Sequence, residues 1–193
     1  MRNEGTSRGR PRDPDLERAI TDAALDILRC SGLGGLTYVA VAERAGTTRP
    51  AIYRRYPDIT ALAVAAVASL AEATAPARTG DHVHDLVAEL TAFRAGILAA
   101  NGLSLTAVVL SEATDPAIKD AYRAAVVAPR RARIASIIGA AAADGTITAD
   151  RPTQQLLVTM CTGSWYGYAV AGITPPRDWP RRTAAIILGR GTD

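Results

Sequence analysis

Apolar residues recur along this chain at the three- and four-residue spacing of amphipathic helices, and no useful run alternates with the two-residue period of a strand. The first such stretch begins after Asp13, and Leu16, Ile20 and Ile27 mark its apolar face. The same spacing predicts further helices over about residues 37–45, 48–56, 60–75, 81–100, 104–113, 116–143, 152–172 and 178–190. The predicted fold class is therefore all-α, with about nine helices.

Glycine and proline divide these stretches, as expected for residues that end helices. Thr37 precedes one of the predicted helices and is a suitable N-cap, and either Asp58 or Thr60 can cap the fourth helix. Residues 76–80 form a longer break. Pro129 lies inside the 116–143 pattern, so we expect it to kink or split that helix.

Composition suits an ordinary globular protein, because 48% of the 193 residues are hydrophobic and 21% are charged. The net charge is only +3, but residues 1–12 are rich in arginine and are predicted to be a disordered basic arm. Cys30 and Cys161 are far apart, which favours a reducing cytoplasm, and Cys30 is expected to pack among the first helices. The longest apolar stretches are too short to span a membrane, and no apolar signal-peptide core follows the basic N-terminus.

Residues 37–56 carry the packing pattern of a helix-turn-helix. Ala42 is small where a second helix must approach closely, and Gly46 follows four residues later at the turn. Ile52 comes six residues after Gly46 and can fill the angle between the helices. This spacing predicts two short helices that cross steeply over a tight turn.

Hydrogen-bond donors cluster on the exposed side of this unit, namely Thr47, Thr48, Arg49, Tyr53, Arg54 and Arg55. We expect Arg49 to read a guanine edge in the major groove and Tyr53 to contact a phosphate. Thr48 would meet a base edge or a thymine methyl, and Thr37 would bind another phosphate at the start of its helix. The alternative is a helical hairpin whose charged face is merely solvated.

Residues 13–62 resemble the TetR family of bacterial transcription regulators over a contiguous stretch. The matching elements are a first helix, a glycine-rich turn, a threonine-initiated second helix, an Ala-Gly turn and a recognition helix that reads Ile-Tyr-Arg-Arg-Tyr. The resemblance implies a cytoplasmic homodimer, usually a repressor, with a three-helix DNA-binding head and a larger helical domain for ligand binding and dimerisation. It also implies that the following residues contact DNA: Thr37, Thr47, Thr48, Arg49, Tyr53 and Arg54.

The resemblance also suggests a division of the chain into residues 1–12 as the arm, 13–57 as the DNA-binding domain and 58–193 as the effector-binding and dimerisation domain. One departure from the family stands at the start of the fourth helix. Many members have a lysine there that grips phosphate, whereas this chain has Ile59. That contact would be missing or would move to Arg55.

The basic arm contains Arg8, Arg10 and Arg12, and its Arg-Gly-Arg-Pro run resembles the core of an AT-hook. Narrow A·T minor grooves concentrate negative potential and attract arginine. We therefore expect the arm to contact a minor groove or phosphates. The alternative is a charged tail that only aids solubility.

Small and apolar residues at helical spacing mark the last two predicted helices. They are Met160, Gly163, Ser164, Gly167 and Tyr168 on the first, and Trp179, Arg182 and Ile186 on the second. Small residues let two helices approach closely, and two helices from each subunit would form a four-helix interface. Together with the resemblance, this favours a dimer interface over packing within one subunit.

A cavity between helices of the C-terminal domain would suit a hydrophobic or aromatic effector. The candidate lining residues are Phe93, Ile97, Leu105, Val109, Glu112, Tyr122, Trp165 and Tyr166. Glu112 stands among apolar residues and would face either a cationic ligand or solvent. The other candidates would otherwise belong to the ordinary core.

The sequence contains no glycine-rich phosphate loop, nucleophile elbow, paired-carboxylate motif or zinc motif, so we expect no enzymatic activity, cofactor or metal. His82 and His84 are two residues apart and point to different sides of a helix, which suits a shared metal poorly. The leading hypothesis is a homodimeric repressor that a small-molecule effector releases from a pseudo-palindromic operator. The alternatives are a DNA-architectural protein without an effector and a small-molecule-binding module with a vestigial DNA head.

Overall fold

The computed structural model describes residues 13–72, 75–98 and 102–189. Its helices are α1 (Pro14–Ser31), α2 (Tyr38–Arg44), α3 (Arg49–Tyr53), α4 (Ile59–Ala68), α5 (His82–Leu98), α6 (Gly102–Leu110), α7 (Pro116–Tyr122), α8 (Ala128–Ala143), α9 (Arg151–Val170) and α10 (Trp179–Ile187). Short 3₁₀ helices, Leu33–Gly35 and Ser69–Glu72, follow α1 and α4. The described residues contain no strand, and the predicted all-α class is confirmed.

Side-chain caps begin several helices where the sequence predicts them. The Thr37 hydroxyl accepts a hydrogen bond from the N–H of Ala40 at 3.2 Å. The carboxylate of Asp58 accepts from the N–H of Ala61 at 2.7 Å, and Asp13 caps α1 in the same way. Each cap satisfies a donor that no helical carbonyl can reach, an effect worth about 1 kcal/mol.

The helix-turn-helix has the predicted packing. Ala42 is buried, and Ile52 is completely inaccessible between α2 and α3. Gly46 has a φ of +63°, and the N–H groups of Gly46 and Thr47 donate to the carbonyls of Glu43 and Ala42 at 3.4 and 2.9 Å. This Schellman arrangement ends α2 and turns the chain. A Cβ added at Gly46 would meet no atom within 4 Å, so only the backbone conformation requires glycine there.

Helix α4 joins the head, which we define as α1–α3, to the rest of the chain. Buried residues of α1–α4 form a first core cluster together with Leu105, Ile118 and Tyr122 from α6 and α7. Leu62 and Val67 of α4 are completely buried within it. Packing is therefore continuous across residues 57 and 58, and the domain boundary at that point stays a prediction.

A second core cluster joins α5, α8, α9 and α10 around three aromatic rings. The rings of Trp165 and Trp179 lie 5.1 Å apart, and Phe93 lies 6.3 and 5.9 Å from them. The indole N–H of Trp179 donates to the Ser164 hydroxyl at 3.1 Å. This position corrects the prediction of Trp179 as an interface residue, because its side chain is only 2% exposed and fills the core of its own subunit.

Helices α7 and α8 are continuous through a π-helical turn at Arg123–Val127. Pro129 has no N–H for the carbonyl four residues earlier, and its ring would crowd that carbonyl in a regular helix. The π turn lies directly before the proline, and the helix neither ends nor splits there. With α7 and α8 counted as one rod, the described residues form nine helical rods, as predicted.

Asp85 anchors the segment that precedes α5, a role that the sequence analysis does not predict. Its buried carboxylate accepts hydrogen bonds from the N–H and the hydroxyl of Thr79, both at 2.8 Å. It also accepts from the N–H of Gly80 at 3.2 Å and from Nε of Arg78 at 2.9 Å. Burial alone would raise the pKa of Asp85, but the hydrogen bonds outweigh it and hold the pKa well below the ordinary 3.8.

Candidate DNA-binding surface and ligand cavity

Helix α3 presents a row of hydrogen-bond donors to solvent. Thr48, Arg49, Tyr53 and Arg54 are all exposed. Thr48 is the N-cap of α3, yet its hydroxyl makes no capping hydrogen bond. In the part of the chain that the structure describes, no ion pair holds Arg49 or Arg54. These side chains are available to acceptor groups on another molecule.

Tyr38 lies beside this row and is a residue that the sequence analysis misses. Its ring centroid lies 4.0 Å from that of Tyr53, and its hydroxyl donates to the carbonyl of Tyr56 at 3.1 Å. Burial, followed by the nearby Tyr53 and Asp58, raises the pKa of Tyr38, so the phenol keeps its proton. Tyr38 thereby fixes the ring of Tyr53 on the exposed surface. An aromatic residue directly after the N-cap Thr37 is the one sequence signal that points to it.

Two positions near this surface differ from what the sequence suggests about cations that could reach a phosphate. Nη1 of Arg55 donates to the carbonyl of Ala51 at 3.0 Å, so this half-buried side chain folds back along α3. Ile59 packs against the first core cluster and leaves no cation at the start of α4. The exposed Asp58 beside it adds a negative charge.

The remaining predicted contacts flank the recognition helix. Thr37 is exposed at the start of α2, and Thr47 is half-buried in the turn. Arg8, Arg10 and Arg12 lie outside the described residues.

A cavity of about 110 Å³ lies between α5, the π turn, α7, α8 and α9. Its apolar wall comprises Phe93, Val126, Val127, Ile134 and Val158. Its polar wall comprises Tyr122, Arg130, Arg131, Thr162 and Tyr166. Pockets for drug-sized ligands span roughly 300–1,000 Å³, whereas an engineered cavity of roughly 150 Å³ admits benzene. The size therefore favours a ligand of one ring or a short chain.

Arg130 is the principal charge in this cavity. Its guanidinium carbon lies 5.3 Å from the ring centroid of Phe93, within cation–π range. Its Nε is buried and has no hydrogen-bond partner in the structure. Burial lowers the pKa of Arg130, but an arginine still carries its charge at neutral pH.

The neighbouring arginine on α8 has a different environment. Nε of Arg133 lies 2.5 Å from Oε1 of Glu89, and its Nη2 lies 3.1 Å from Oε2. Glu89 is 1% exposed and the Arg133 side chain is 30% exposed, so a partly exposed guanidinium pairs with both oxygens of a buried carboxylate.

The structure brings together some of the predicted pocket residues. Those that line the cavity are Phe93, Tyr122 and Tyr166. Those that belong to the core clusters are Ile97 and Trp165 in the second and Leu105 and Val109 in the first. Glu112 is exposed after α6 and is absent from the cavity wall. Its predicted place beside a ligand is thus corrected in favour of the solvated alternative.

The outer face of α9 and α10 is apolar and exposed. Leu156, Met160 and Ile186 are 60%, 45% and 67% exposed. Leu156 and Met160 continue through the exposed Gly163 and Gly167 at spacings of four, three and four, which places them on one side of α9. An exposed apolar stripe of this kind is typical of an interaction surface.

The other predicted residues of this face differ in exposure. Ser164 is exposed, and Tyr168 is half-buried. Arg182 is exposed and pairs with Asp178 at 2.7 Å. Leu156, which the sequence analysis omits, extends the face towards the start of α9.

Cys161 and His82 contact other parts of the fold, whereas Cys30 does not pack into the core. Cys30 is exposed on α1, contrary to the expected packing, whereas Cys161 is buried and burial raises its pKa to about 12. Nε2 of His82 lies 2.6 Å from Oδ2 of Asp144. Hydrogen bonds from Thr146 and then His82 lower the pKa of Asp144 to about 2.

The described residues provide neither a metal-binding cluster nor a membrane-spanning helix. They contain no group of three or more histidine, cysteine, aspartate or glutamate side chains placed to hold a metal ion. None of the helices in residues 13–72, 75–98 and 102–189 is long and apolar enough to cross a membrane.

A helix-turn-helix head with exposed donors, attached to a helical domain with a cavity, defines the class of DNA-binding transcription regulators. Residues 20–66 match the family profile described as "Bacterial regulatory proteins, tetR family". Residues 76–187 match the profile described as "Tetracyclin repressor-like, C-terminal domain". The chain belongs to the TetR family of bacterial transcription regulators.

Individual relatives agree with this assignment. An uncharacterized HTH-type transcriptional regulator of Bacillus subtilis (strain 168), YdeS, is 29% identical over 127 residues, which span 65% of this chain and 64% of that protein. The solved structure of the TetR family transcription regulator SCO0332 is 26% identical, with a TM-score of 0.64 over 93% of this chain and 100% of the other. The flavonoid-responsive regulator FrrA shares the fold at 14% identity, with a TM-score of 0.67 over 92% of this chain and 95% of the other.

Proposed function

We propose that this chain is a homodimeric repressor that binds a pseudo-palindromic operator and leaves it when a small molecule occupies the C-terminal cavity. The observation that carries the proposal is the row of available donors on α3, where Thr48, Arg49 and Arg54 are exposed and unpaired within the described residues. As a DNA-binding regulator, it would act in the cytoplasm, where the bacterial chromosome lies.

In the proposed complex, α3 enters the major groove and Arg49 makes a bidentate contact with guanine. Thr48 contacts a neighbouring base edge. Tyr53 and Thr37 bind phosphates, which position the head without reading sequence. Thr47, Arg54 and Arg55 would add contacts to the backbone, and the arm that holds Arg8, Arg10 and Arg12 would follow the minor groove.

The packing around Tyr122 supports a route from the cavity to the head. Tyr122 lines the cavity and also belongs to the first core cluster, which contains the buried faces of α1 and α4. Val126 and Val127 of the π turn likewise line the cavity and pack against that cluster. A ligand that displaces this wall would move α4 and the head with it, and the separation of the two heads would no longer match the half-sites.

The apolar outer face of α9 and α10 supports the proposed homodimer. A twofold interface uses the same patch on both subunits, and two helices from each would form a four-helix interface. Met160, Gly163, Gly167 and Ile186 supply its exposed apolar and small positions. Ser164, Tyr168 and Arg182 would form its more polar part.

A charged double variant tests the interface. In Leu156→Glu/Met160→Glu we expect a particle of 20.2 kDa in light scattering, against twice that mass for the unmodified chain, because the variant would bury unpaired carboxylates at the interface. Leu110→Glu is the matched control, since Leu110 is 75% exposed at the end of α6, on a different element. A double variant that stays dimeric would exclude this face.

Selection of genomic fragments on the purified, unmodified chain tests the function. We expect the retained fragments to share an inverted repeat whose half-sites are centred about 10 base pairs apart. Retention of fragments with no shared sequence would contradict the proposal and favour an architectural protein. Retention of nothing would leave a small-molecule-binding module with a vestigial head.

A further inference from the structure

Arg130 carries a charge that forms no ion pair with any of the described residues. Its Nε is buried without a hydrogen-bond partner. Taking a charged group out of water is costly unless a counter-ion or hydrogen bonds compensate. The face of Phe93 at 5.3 Å compensates only in part, because a cation–π contact is weaker than a charge-assisted hydrogen bond.

The acidic residues nearby are already engaged or lie elsewhere. Both oxygens of Glu89 bind Arg133, which leaves Arg130 without an acidic partner. Among the described residues, no carboxylate lines the cavity, and Glu112 lies outside it. The cavity is therefore positively charged. It would repel a cationic ligand, the alternative that the sequence analysis considers for Glu112.

The rest of the wall describes the body of the ligand. Phe93, Ile134 and Val158 present apolar surface, and the side chains of Thr162 and Tyr166 add hydroxyl groups. Arg131 also lines the cavity, but it is exposed and its guanidinium donates to Thr159 at 3.3 Å. Arg130 is thus the lining arginine with a buried nitrogen and no hydrogen-bond partner for it, and its planar fork matches the two oxygens of one carboxylate.

We propose that the cavity binds a small monocarboxylate, with one ring or a short aliphatic chain, whose charge pairs with Arg130. The ring or chain lies against the apolar wall, and the carboxylate takes the place beside the guanidinium that none of the described acidic residues fills. This inference rests on the proposed function, since it names the chemical class of the effector.

Calorimetric titration of the full chain tests the charge preference with two matched pairs of probes, benzoate against benzamide and hexanoate against hexanamide. We expect at least one carboxylate to bind about tenfold or more tightly than its amide, a ratio that corresponds to about 1.4 kcal/mol. In Arg130→Gln this preference should vanish. Arg123→Gln is the control, because Arg123 lies seven residues earlier on the same rod and pairs with Asp120 at the surface.

Equal binding of acid and amide would overturn the proposal, as would a preference that survives in Arg130→Gln. The absence of carboxylate binding at concentrations that saturate a millimolar site would overturn it as well.

A second measurement needs no ligand. Arg130→Met should raise the melting temperature by about 2–4 °C, because it removes a half-buried guanidinium whose Nε has no hydrogen-bond partner. Arg133→Met should lower it, because it strands the buried Glu89. If Arg130→Met instead melts lower by a similar amount, Arg130 is structural and the proposal fails.

Operator release separates this inference from the proposed function. If benzoate binds through Arg130 but the operator complex is unchanged in a gel shift, the carboxylate site stands and effector release fails. If the amides release the operator and the acids do not, effector release stands and the carboxylate site fails.

Discussion

Asp85→Ala is expected to lower the melting temperature of the chain by roughly 5–15 °C. The substitution removes one carboxylate that binds two backbone N–H groups, a hydroxyl and a guanidinium. The donors belong to the exposed residues Arg78, Thr79 and Gly80, so water can replace the carboxylate in part, and the loss of four hydrogen bonds to a charged group costs about 2–4 kcal/mol in the free energy of unfolding. For a chain of this size, each kcal/mol corresponds to about 2–4 °C.

The pH dependence of this effect has a definite sign. The folded chain lowers the pKa of Asp85 below 3.8, so the ionised carboxylate stabilises the fold. That stabilisation is complete at pH values above the pKa of Asp85 in the unfolded chain. It is lost as the pH falls towards the lower pKa of Asp85 in the folded chain. The difference in melting temperature between the unmodified chain and Asp85→Ala should therefore be constant near neutral pH and should narrow below about pH 4.

Calorimetry on both chains from pH 7 to acid checks this. Asp120→Ala serves as the control, since Asp120 is 71% exposed in its pair with Arg123 and such pairs contribute little. A melting temperature that barely changes in Asp85→Ala would mean that the segment before α5 does not depend on this carboxylate.

Arg49→Ala is expected to weaken operator binding by roughly 30-fold or more and to remove most of the sequence preference. A bidentate contact with guanine discriminates by about 1–3 kcal/mol, and a dimer would lose two of them. Binding to unrelated DNA should persist, with its usual sensitivity to salt, because the phosphate contacts remain. Fluorescence anisotropy on the selected operator and on a scrambled duplex measures both quantities.

Arg54→Ala provides the contrast, since loss of a phosphate contact should weaken both duplexes by the same factor and reduce the salt dependence. Arg123→Ala should change neither affinity. If Arg49→Ala leaves operator affinity and selectivity intact, then Arg49 is not the residue that reads the base.

The sequence was sufficient for the helix-turn-helix because each of its determinants is local. Ala42, Gly46 and Ile52 lie within eleven residues, and the turn follows from the positive φ of one glycine. The caps at Thr37 and Asp58 depend on donors only three residues away. Interactions of this range can be predicted directly from residue spacing.

The surroundings of Arg130, Trp179 and Asp85 could not be predicted because they depend on contacts between residues that are far apart in the sequence. Arginine is rarely buried without a partner, so nothing in the local pattern marks Arg130 as different from Arg133. Trp179 has the same spacing as the exposed residues of α10, yet it packs in the core against the rings of Phe93 on α5 and Trp165 on α9. In the sequence, Asp85 is an ordinary acidic residue in the first turn of a helix. Only the structure shows that residues 78–80 fold over it and donate hydrogen bonds to it.

The π turn at Arg123–Val127 sets the direction in which later residues of its rod face. A regular helix rotates by about 100° per residue, so each added or removed residue turns everything beyond it by that angle. In a regular helix, side chains four residues apart rotate slowly around the helix axis, and the wider π turn compensates for this rotation. It keeps Ile118 and Tyr122 on the same side of the rod as Arg130, Ile134 and Ile138. The rod therefore packs into the first core cluster at one end, and in its middle it carries Arg130, the charge of the cavity. A homologue that differs by one residue here would turn position 130 away from the cavity, and its ligand chemistry would change without any substitution in the wall.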